Sequence, residues 1–233
     1  MLGISELERI KYTHYPKIVI FRCVYYYLRF PLSYRDIEEL MEERGLSIDH
    51  STIQDWVIKY APMFSEKVHK KKKKVNRSWR MDETYIKVKG KWKYLYRAVD
   101  SEGNTVDFLL TSKRDTKAAK RFLNKAIKNN GHPEKVTIDG SASNKKALKK
   151  VNKKRSKKRK ITIRNNKYLN NIVEQDHRGI KRNYDLTLGF KSFKSAQVTL
   201  AGMETVRMIK KGQLDHMKGA SKIPFHTFCA IAA

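Results

Sequence analysis

Acidic residues are scarce in this chain and unevenly placed. Of 233 residues, 52 are Lys or Arg and 23 are Asp or Glu, a formal net charge of +29. Between Asp139 and Glu174 lie 34 residues without a carboxylate, 13 of them Lys or Arg. Asp82, in the run Arg-Met-Asp-Glu-Thr-Tyr, Asp139, in Ile-Asp-Gly, and Glu174 are therefore the residues whose types could do chemistry. Clustered carboxylates repel one another unless a cation sits between them, and hard divalent ions such as Mg²⁺ or Mn²⁺ take carboxylate oxygens and water. Two such ions about 3.5–4 Å apart suit in-line phosphoryl transfer. One activates the nucleophile, water or a DNA 3′-OH, and the other stabilises the leaving oxygen. Each acid also has a plainer reading. Asp82 and its neighbour Glu83 fall on opposite faces of a strand, so one of them could be merely solvated. Asp139-Gly140 could be only a turn. Glu174, three residues after Asn171, could complete a helix cap.

The elements that must position these residues follow from periodicity. Residues 16–29 form an almost continuous apolar run. A helix follows Ser33 as N-cap, with Tyr34, Ile37, Leu40 and Met41 on one face, and stops at Gly45. A third opens near Asp49, repeats Ile53, Trp56, Val57 and Tyr60, and is expected to end at Pro62. This is the pattern of a helix-turn-helix, whose third helix would face the major groove with His50, Ser51, Gln54, Asp55 and Lys59. Residues 1–64 are read as this DNA-binding domain and the lysine-rich residues 65–78 as a linker. From Arg80 the period becomes strand-like over 81–89, 91–99 and 105–111. A helix over 116–129, a short strand 135–138, a very basic helical segment 144–160, a strand 161–164 and helices over 172–182 and 192–211 follow. That order is the one of an RNase H-like α/β domain, over residues 79–213, with 214–233 as a tail. In it the first strand and the strand ending at Asp139 are neighbours at the sheet centre, and a late helix carries Glu174. Trp79, Trp92 and Tyr85 read as core or sheet-face packing before base-stacking platforms, and His177, which at i+3 from Glu174 could approach a metal or phosphate, reads first as a helix-surface histidine.

Composition excludes several classes. The most apolar stretch, Ile18–Phe30, is broken by Arg22 and Arg29 and falls short of the roughly 20 residues of a bilayer span. The N-terminus lacks a signal-peptide cleavage site, so a cytosolic, nucleoid-associated protein is expected. Cys23 and Cys229 lie far apart and outside any C-x-x-C, which disfavours a disulfide framework and a structural zinc. There is no phosphate-binding P-loop, dinucleotide fingerprint, nucleophile elbow or H-E-x-x-H. The charge excess points to a polyanionic partner.

The residues also carry a resemblance. Ser33-Tyr34-Arg35-Asp36-Ile37-Glu38-Glu39, Asp49-His50-Ser51-Thr52-Ile53, Trp79-Arg80-Met81-Asp82-Glu83-Thr84-Tyr85-Ile86-Lys87-Val88 and Tyr94-Leu95-Tyr96-Arg97-Ala98-Val99-Asp100 match one family in order, as do Asp139-Gly140, Lys167-Tyr168-Leu169-Asn170-Asn171, Glu174 and Thr187-Leu188-Gly189-Phe190-Lys191-Ser192. Over residues 15–213 the chain resembles the DDE transposases of bacterial insertion sequences, specifically the sixth insertion-sequence family (IS-six). The spacing from Asp139 to Glu174 is the family's, and Lys181, seven residues after Glu174, fills its basic position. The lysine-rich segment 144–160 exceeds the family pattern, and residues before 15 do not match it.

The resemblance implies that Asp82, Asp139 and Glu174 are the metal-binding catalytic triad, with two Mg²⁺ or Mn²⁺ ions. It implies that the helix-turn-helix binds the element's terminal inverted repeats, and that hydrolysis at the ends exposes a 3′-OH which attacks target DNA. Ser51, Gln54 and Lys59, and Arg178 and Lys181 one and two turns after Glu174, are the expected DNA contacts. Segments 70–74 and 145–160 would add salt-sensitive phosphate binding. Joining two ends implies at least a homodimer. Two other readings stay open: a DNA-binding regulator without catalysis, and a structure-specific nuclease of the same fold.

Overall fold

The structure is a computed structural model that describes residues 15–153, 155–184, 189–215 and 223–232. Expectations that fall on 1–14, 154, 185–188, 216–222 and 233, including Thr187-Leu188, lie outside these. Backbone contacts divide the chain into two compact units, residues 1–73 with 182–188 and 193–233, and residues 74–181 with 189–192.

The first unit is helical. Helix α1 (Lys17–Arg29) buries Ile20, Phe21, Val24 and Leu28, and α2 (Tyr34–Glu42) begins at the expected Ser33 cap. The cap is reciprocal, Asp36 N–H donating to Ser33 Oγ and Ser33 N–H to the Asp36 carboxylate. Gly45 turns the chain at φ +71°. Helix α3 (His50–Lys70) opens on Asp49, whose Oδ1 accepts from Ser51 N–H at 2.7 Å. It does not stop at Pro62. It runs two further turns, because Phe64 and Val68 bury completely beyond the proline, which is itself exposed. Burial of those two side chains offsets the hydrogen bond that Pro62 removes. Much of the expected linker is thus helix, to Lys70. Helices α7 (Phe193–Lys210) and α8 (Pro224–Ala232) belong to the same unit, where α7 packs on α1 and α3 and Phe228 stacks on Phe64 at 3.8 Å. Residues 193–213 therefore group with the N-terminal helices and not with the sheet. The contact is close enough that a Cβ on Gly202 would meet Leu28 at 2.7 Å and Ala61 at 2.9 Å.

The second unit is the sheet domain. Strands β1 (Ser78–Val88), β2 (Lys91–Val99) and β3 (Thr105–Thr111) form an antiparallel meander, and β4 (Lys135–Ile138) and β5 (Thr162–Asn165) extend it in parallel, in the order β3-β2-β1-β4-β5. This is the expected RNase H-like arrangement, with β1 and β4 adjacent. The two-residue turn Lys89-Gly90 has positive φ at both positions, +50° and +72°, which matches the twist of the strands it joins. On one face Trp79, Met81, Tyr96, Ala98, Val136 and Ile138 pack against Ala119, Phe122 and Leu123 of α4 (Thr116–Asn130) and Ala147, Leu148 and Val151 of α5 (Ala142–Lys153). The basic segment 144–160 is one helix followed by a short 3₁₀ turn, Lys157–Arg159, and the Asn152 amide closes it by bonding both backbone groups of Ile161 at 2.9 Å. Alternation turns Asp82 and its cross-strand neighbour Arg97 to the opposite face. There α6 (Lys167–Tyr184) points Asn170, Val173, His177 and Ile180 inward at helical spacing.

Candidate functional site

Asp82 sits in the middle of β1 with its side chain only 13 % exposed. Asp139 follows the last residue of β4, where its Oδ1 accepts from Ser141 N–H at 3.1 Å. Gly140 has φ +98°, and a Cβ there would press on the Asn165 amide oxygen at 3.2 Å, so the turn after Asp139 needs glycine. Glu174 is exposed on α6, one turn before the buried His177. The Asn170 amide touches the Met81 carbonyl at 3.5 Å, and His177 Nδ1 lies 3.6 Å from Asp82 Oδ2, so this helix is seated on the strand that carries Asp82. Burial, and then the negative fields of Glu83, Asp139 and Glu174, push the Asp82 carboxyl up to about 7. Asp139 and Glu174 thus both lie close enough to act on Asp82.

The other carboxylates of this unit are occupied. Glu83 is not a solvated strand acid: it is buried against Arg114 and accepts from Asn144 Nδ2 at 2.9 Å. Asp176 is paired with the fully buried Arg97. Asp107 takes Lys125 at 2.5 Å and Asn129 at 2.9 Å. Asp100 is spent on the backbone N–H groups of Asn76, Glu102 and Asn104, holding the β2–β3 turn. Asp115 caps α4 through Ala118 N–H, and Glu134 meets Arg77 at 3.3 Å. No Lys or Arg among the described residues forms a salt bridge with Asp82, Asp139 or Glu174. Three carboxylates with no lysine or arginine partner, one of them buried and pushed toward neutrality, are a donor set suited to a hard divalent ion. Their oxygens do not all lie within 4.8 Å of one another. Among the described residues that closeness is met by Glu38, Asp49 and His50 in the helical unit. There His50 Nδ1 lies 3.0 Å from Glu38 and 3.5 Å from Asp49, and Asp49 is already used as the α3 cap.

The expected DNA contacts are placed as follows. Ser51, Gln54 and Lys59 are exposed on α3, and Ser51 N–H is also tied to the Asp49 cap. Arg178 and Lys181 are exposed on α6 with Glu174, at i+4 and i+7, so one helix face presents an acid followed by two bases. Two expectations are corrected. His177 is 5 % exposed and faces Asp82, because it lies on the inward stripe with Asn170 and Val173 and not on the surface. Tyr85 and Trp92 are 43 % and 57 % exposed, because their end of the hairpin extends past the helices that bury Trp79. The Arg97–Asp176 and Glu83–Arg114 pairs that frame the site were not read from the sequence. The one signal available was the position of Glu83 and Asp176 one or two residues from a candidate, and spacing does not identify a partner 31 or 79 residues away.

Residues 76–213 match the family model described as "DDE domain", of the IS240 type. The chain is 45 % identical over 205 residues to the transposase for insertion sequence-like element IS431mec of Staphylococcus aureus, covering 88 % of this chain and 90 % of that one. The transposase for insertion sequence element IS257 in transposon Tn4003, also of Staphylococcus aureus, matches with the same identity and coverage. Among solved structures the catalytic core domain of HTLV-2 integrase in complex with magnesium is similar at 16 % identity and a TM-score of 0.44, over 66 % of this chain and 98 % of that one. The match to the domain over most of the sheet unit, and to two transposases over nearly their whole length, places this chain in the DDE transposases of bacterial insertion sequences, in the sixth insertion-sequence family (IS-six).

Proposed function

We propose that Asp82, Asp139 and Glu174 together hold two divalent cations, Mg²⁺ or Mn²⁺, and that DNA strands are cut and joined there. The observation that carries this is the contrast within one unit, in which Glu83, Asp107, Glu134 and Asp176 are each paired with a lysine or arginine while Asp82, buried and in the negative fields of Asp139 and Glu174, is not, and neither are those two acids. When bound, the ions supply activation of the attacking oxygen and stabilisation of the leaving one. The chain's own residues do the positioning. The fixed turn at Gly140 holds Asp139 at the end of β4, β1 holds Asp82 beside it, and the Arg97–Asp176 pair clamps α6 so that Glu174 stays over the strand. Arg178 and Lys181, on the same helix face, take the phosphates on either side of the reacting one.

In this reading Ser51, Gln54 and Lys59 on α3 read the terminal inverted repeat, the helical unit serving recognition and the sheet unit catalysis. Segments 70–74 and 145–160 bind phosphates without regard to sequence, so affinity falls steeply with salt. Two ends are brought together by at least a homodimer. No helix among the described residues is long and apolar enough to cross a membrane.

The test is strand transfer from a precut, labelled element end into plasmid DNA with Mg²⁺, alongside a gel shift on the same end. Asp82→Asn, Asp139→Asn and Glu174→Gln should bind like wild type and join no strands. Joining that survives in any of the three removes that residue from the site, and binding without joining by the wild type favours a regulator.

A further inference from the structure

We propose that the exposed end of the β1–β2 hairpin is a platform for single-stranded DNA, on which Trp92 and Tyr85 stack unpaired bases on the strand pair that carries Asp82. This rests on the reading that the carboxylates act on DNA ends, and it names where the unpaired nucleotides beside a cut would go.

The rings are placed for it. Tyr85 and Trp92 lie on one sheet face with Tyr94, Tyr85 opposite Tyr94 and Lys87 opposite Trp92. They meet edge to face, at 6.1 Å for Tyr85–Trp92 and 5.3 Å for Tyr85–Tyr94, so the exposed aromatic faces are not covered by each other. Of the three tryptophans in the chain, Trp79 and Trp56 are 1 % and 7 % exposed while Trp92 is 57 % exposed. An exposed tryptophan beside an exposed tyrosine marks a contact surface more often than a single exposed side chain does.

Charge selects the occupant. From Thr84 to Val99 there is no carboxylate, Lys87 shares the rings' face with its Nζ 6.0 Å from the Trp92 ring centre, and the lysines at 89, 91 and 93 add charge along the same hairpin. A basic strip interleaved with aromatic faces is what single strands bind, since every base has a face to stack and every nucleotide a phosphate. A second copy of this chain meeting here about a two-fold axis would bring the same lysines against themselves.

The platform is also joined to the site. Arg114 donates to Tyr85 Oη at 3.2 Å, is paired with Glu83 and lies in the field of Asp139. Tyr85 is three residues beyond Asp82 on β1, so alternation sets the rings on the face of Glu83 and Asp82 on the other side of the same strand.

The experiment is tryptophan fluorescence of the full chain, without metal, titrated with a 15-nucleotide oligo(dT) and with a 15-base-pair duplex. Oligo(dT) should quench the emission of the solvent-exposed tryptophan, and Trp92→Ala should abolish that quenching and weaken oligo(dT) binding, followed by anisotropy of a labelled oligo, by about 5-fold to 100-fold. Tyr85→Ala should weaken it similarly, Trp92→Phe should retain most of the affinity, and duplex binding should change by less than about 2-fold in all of them. The circular dichroism of each variant serves as the check that it folds. Asp139→Asn must quench like wild type, which keeps this outcome separate from whether the carboxylates catalyse. Oligo(dT) that binds with no change in emission, or binds Trp92→Ala as tightly as wild type, overturns the proposal. So does a blue shift of the exposed emission that appears with protein concentration alone, which would mean that a second copy covers the hairpin.

Discussion

Replacing Asp82 by Asn should stabilise the metal-free protein, and increasingly so as the pH rises. Burial, followed by the fields of Glu83, Asp139 and Glu174, moves the carboxyl from an ordinary 3.8 to about 7. A carboxyl whose pKa is higher folded than unfolded holds its proton more tightly in the folded state. Its contribution to stability is therefore fully present below about pH 4 and is lost as the pH rises through about 7. About three units at 1.36 kcal/mol each amount to about 4 kcal/mol. Asparagine is neutral throughout and escapes this loss. The stability of the variant minus that of wild type should grow by about 4 kcal/mol between pH 4 and pH 8, and comparing the two pH values cancels whatever the amide changes in packing. At a urea dependence of about 2 kcal/mol/M, the midpoints should separate by about 2 M more at pH 8 than at pH 4. Circular dichroism of urea unfolding in EDTA measures this. A separation that is flat with pH, or that narrows as pH rises, refutes the idea that Asp82 is held ionised against its surroundings.

Saturating Mg²⁺ should cancel most of that difference at pH 8, raising the wild-type stability by about 3 kcal/mol at a hundred times the dissociation constant while leaving Asp82→Asn nearly unmoved; calorimetric melts with and without the ion check it. Asp176→Asn removes the carboxylate paired with the fully buried Arg97 and should cost about 3–5 kcal/mol in urea unfolding, with strand transfer falling more than DNA binding because α6 carries Glu174. Pro62→Ala, at an exposed position inside α3, should restore a helical hydrogen bond and raise stability by about 1–3 kcal/mol in the same assay. Gly202→Ala places a methyl against Leu28 and Ala61 and should lower the melting of the helical unit by about 1–3 kcal/mol equivalent.

How much of this was legible follows from what each feature depends on. Strand β4 and the helix after Asp115 were read to within a residue, because their apolar periods are local and their ends carry Asp-Gly, Gly131 or a capping acid. The adjacency of β1 and β4, and hence of Asp82 and Asp139, was legible through element order. Helix α3 past Pro62 was not, because the proline's local preference is overridden by Phe64 stacking on Phe228, 164 residues away. Helix α8 was taken for a tail, since residues 224–232 have no polar face to give a period and take their order from α1, α3 and α7. Within the site, the three acids were found by their scarcity. The burial of His177 was missed because a histidine three residues from Glu174 fits an outward face as well as an inward one until Asn170 and Val173 fix which way α6 lies.

Scarcity also carries a physical consequence. In a chain of net charge +29 an acid placed at random finds a lysine or arginine easily, and Glu83, Asp107, Glu134 and Asp176 each have one. Keeping three carboxylates near one another with no such partner requires the cations to be directed elsewhere. The structure does this by pairing. Arg97, directly across from Asp82, is turned away to Asp176, and Arg114, within the field of Asp139, is held by Glu83. Each clamp consumes the arginine that would otherwise neutralise the neighbouring acid. Arg97→Lys tests this distinction. A lysine keeps the charge but lacks the planar fork that fixes it on one carboxylate, so it is free to divide itself between Asp176 and Asp82. The Asp82 carboxyl should then ionise at lower pH, Mg²⁺ binding should weaken, and the pH dependence of stability described above should shrink. An Arg97→Lys protein whose metal affinity and pH profile match wild type would show that the arginine only braces the helix.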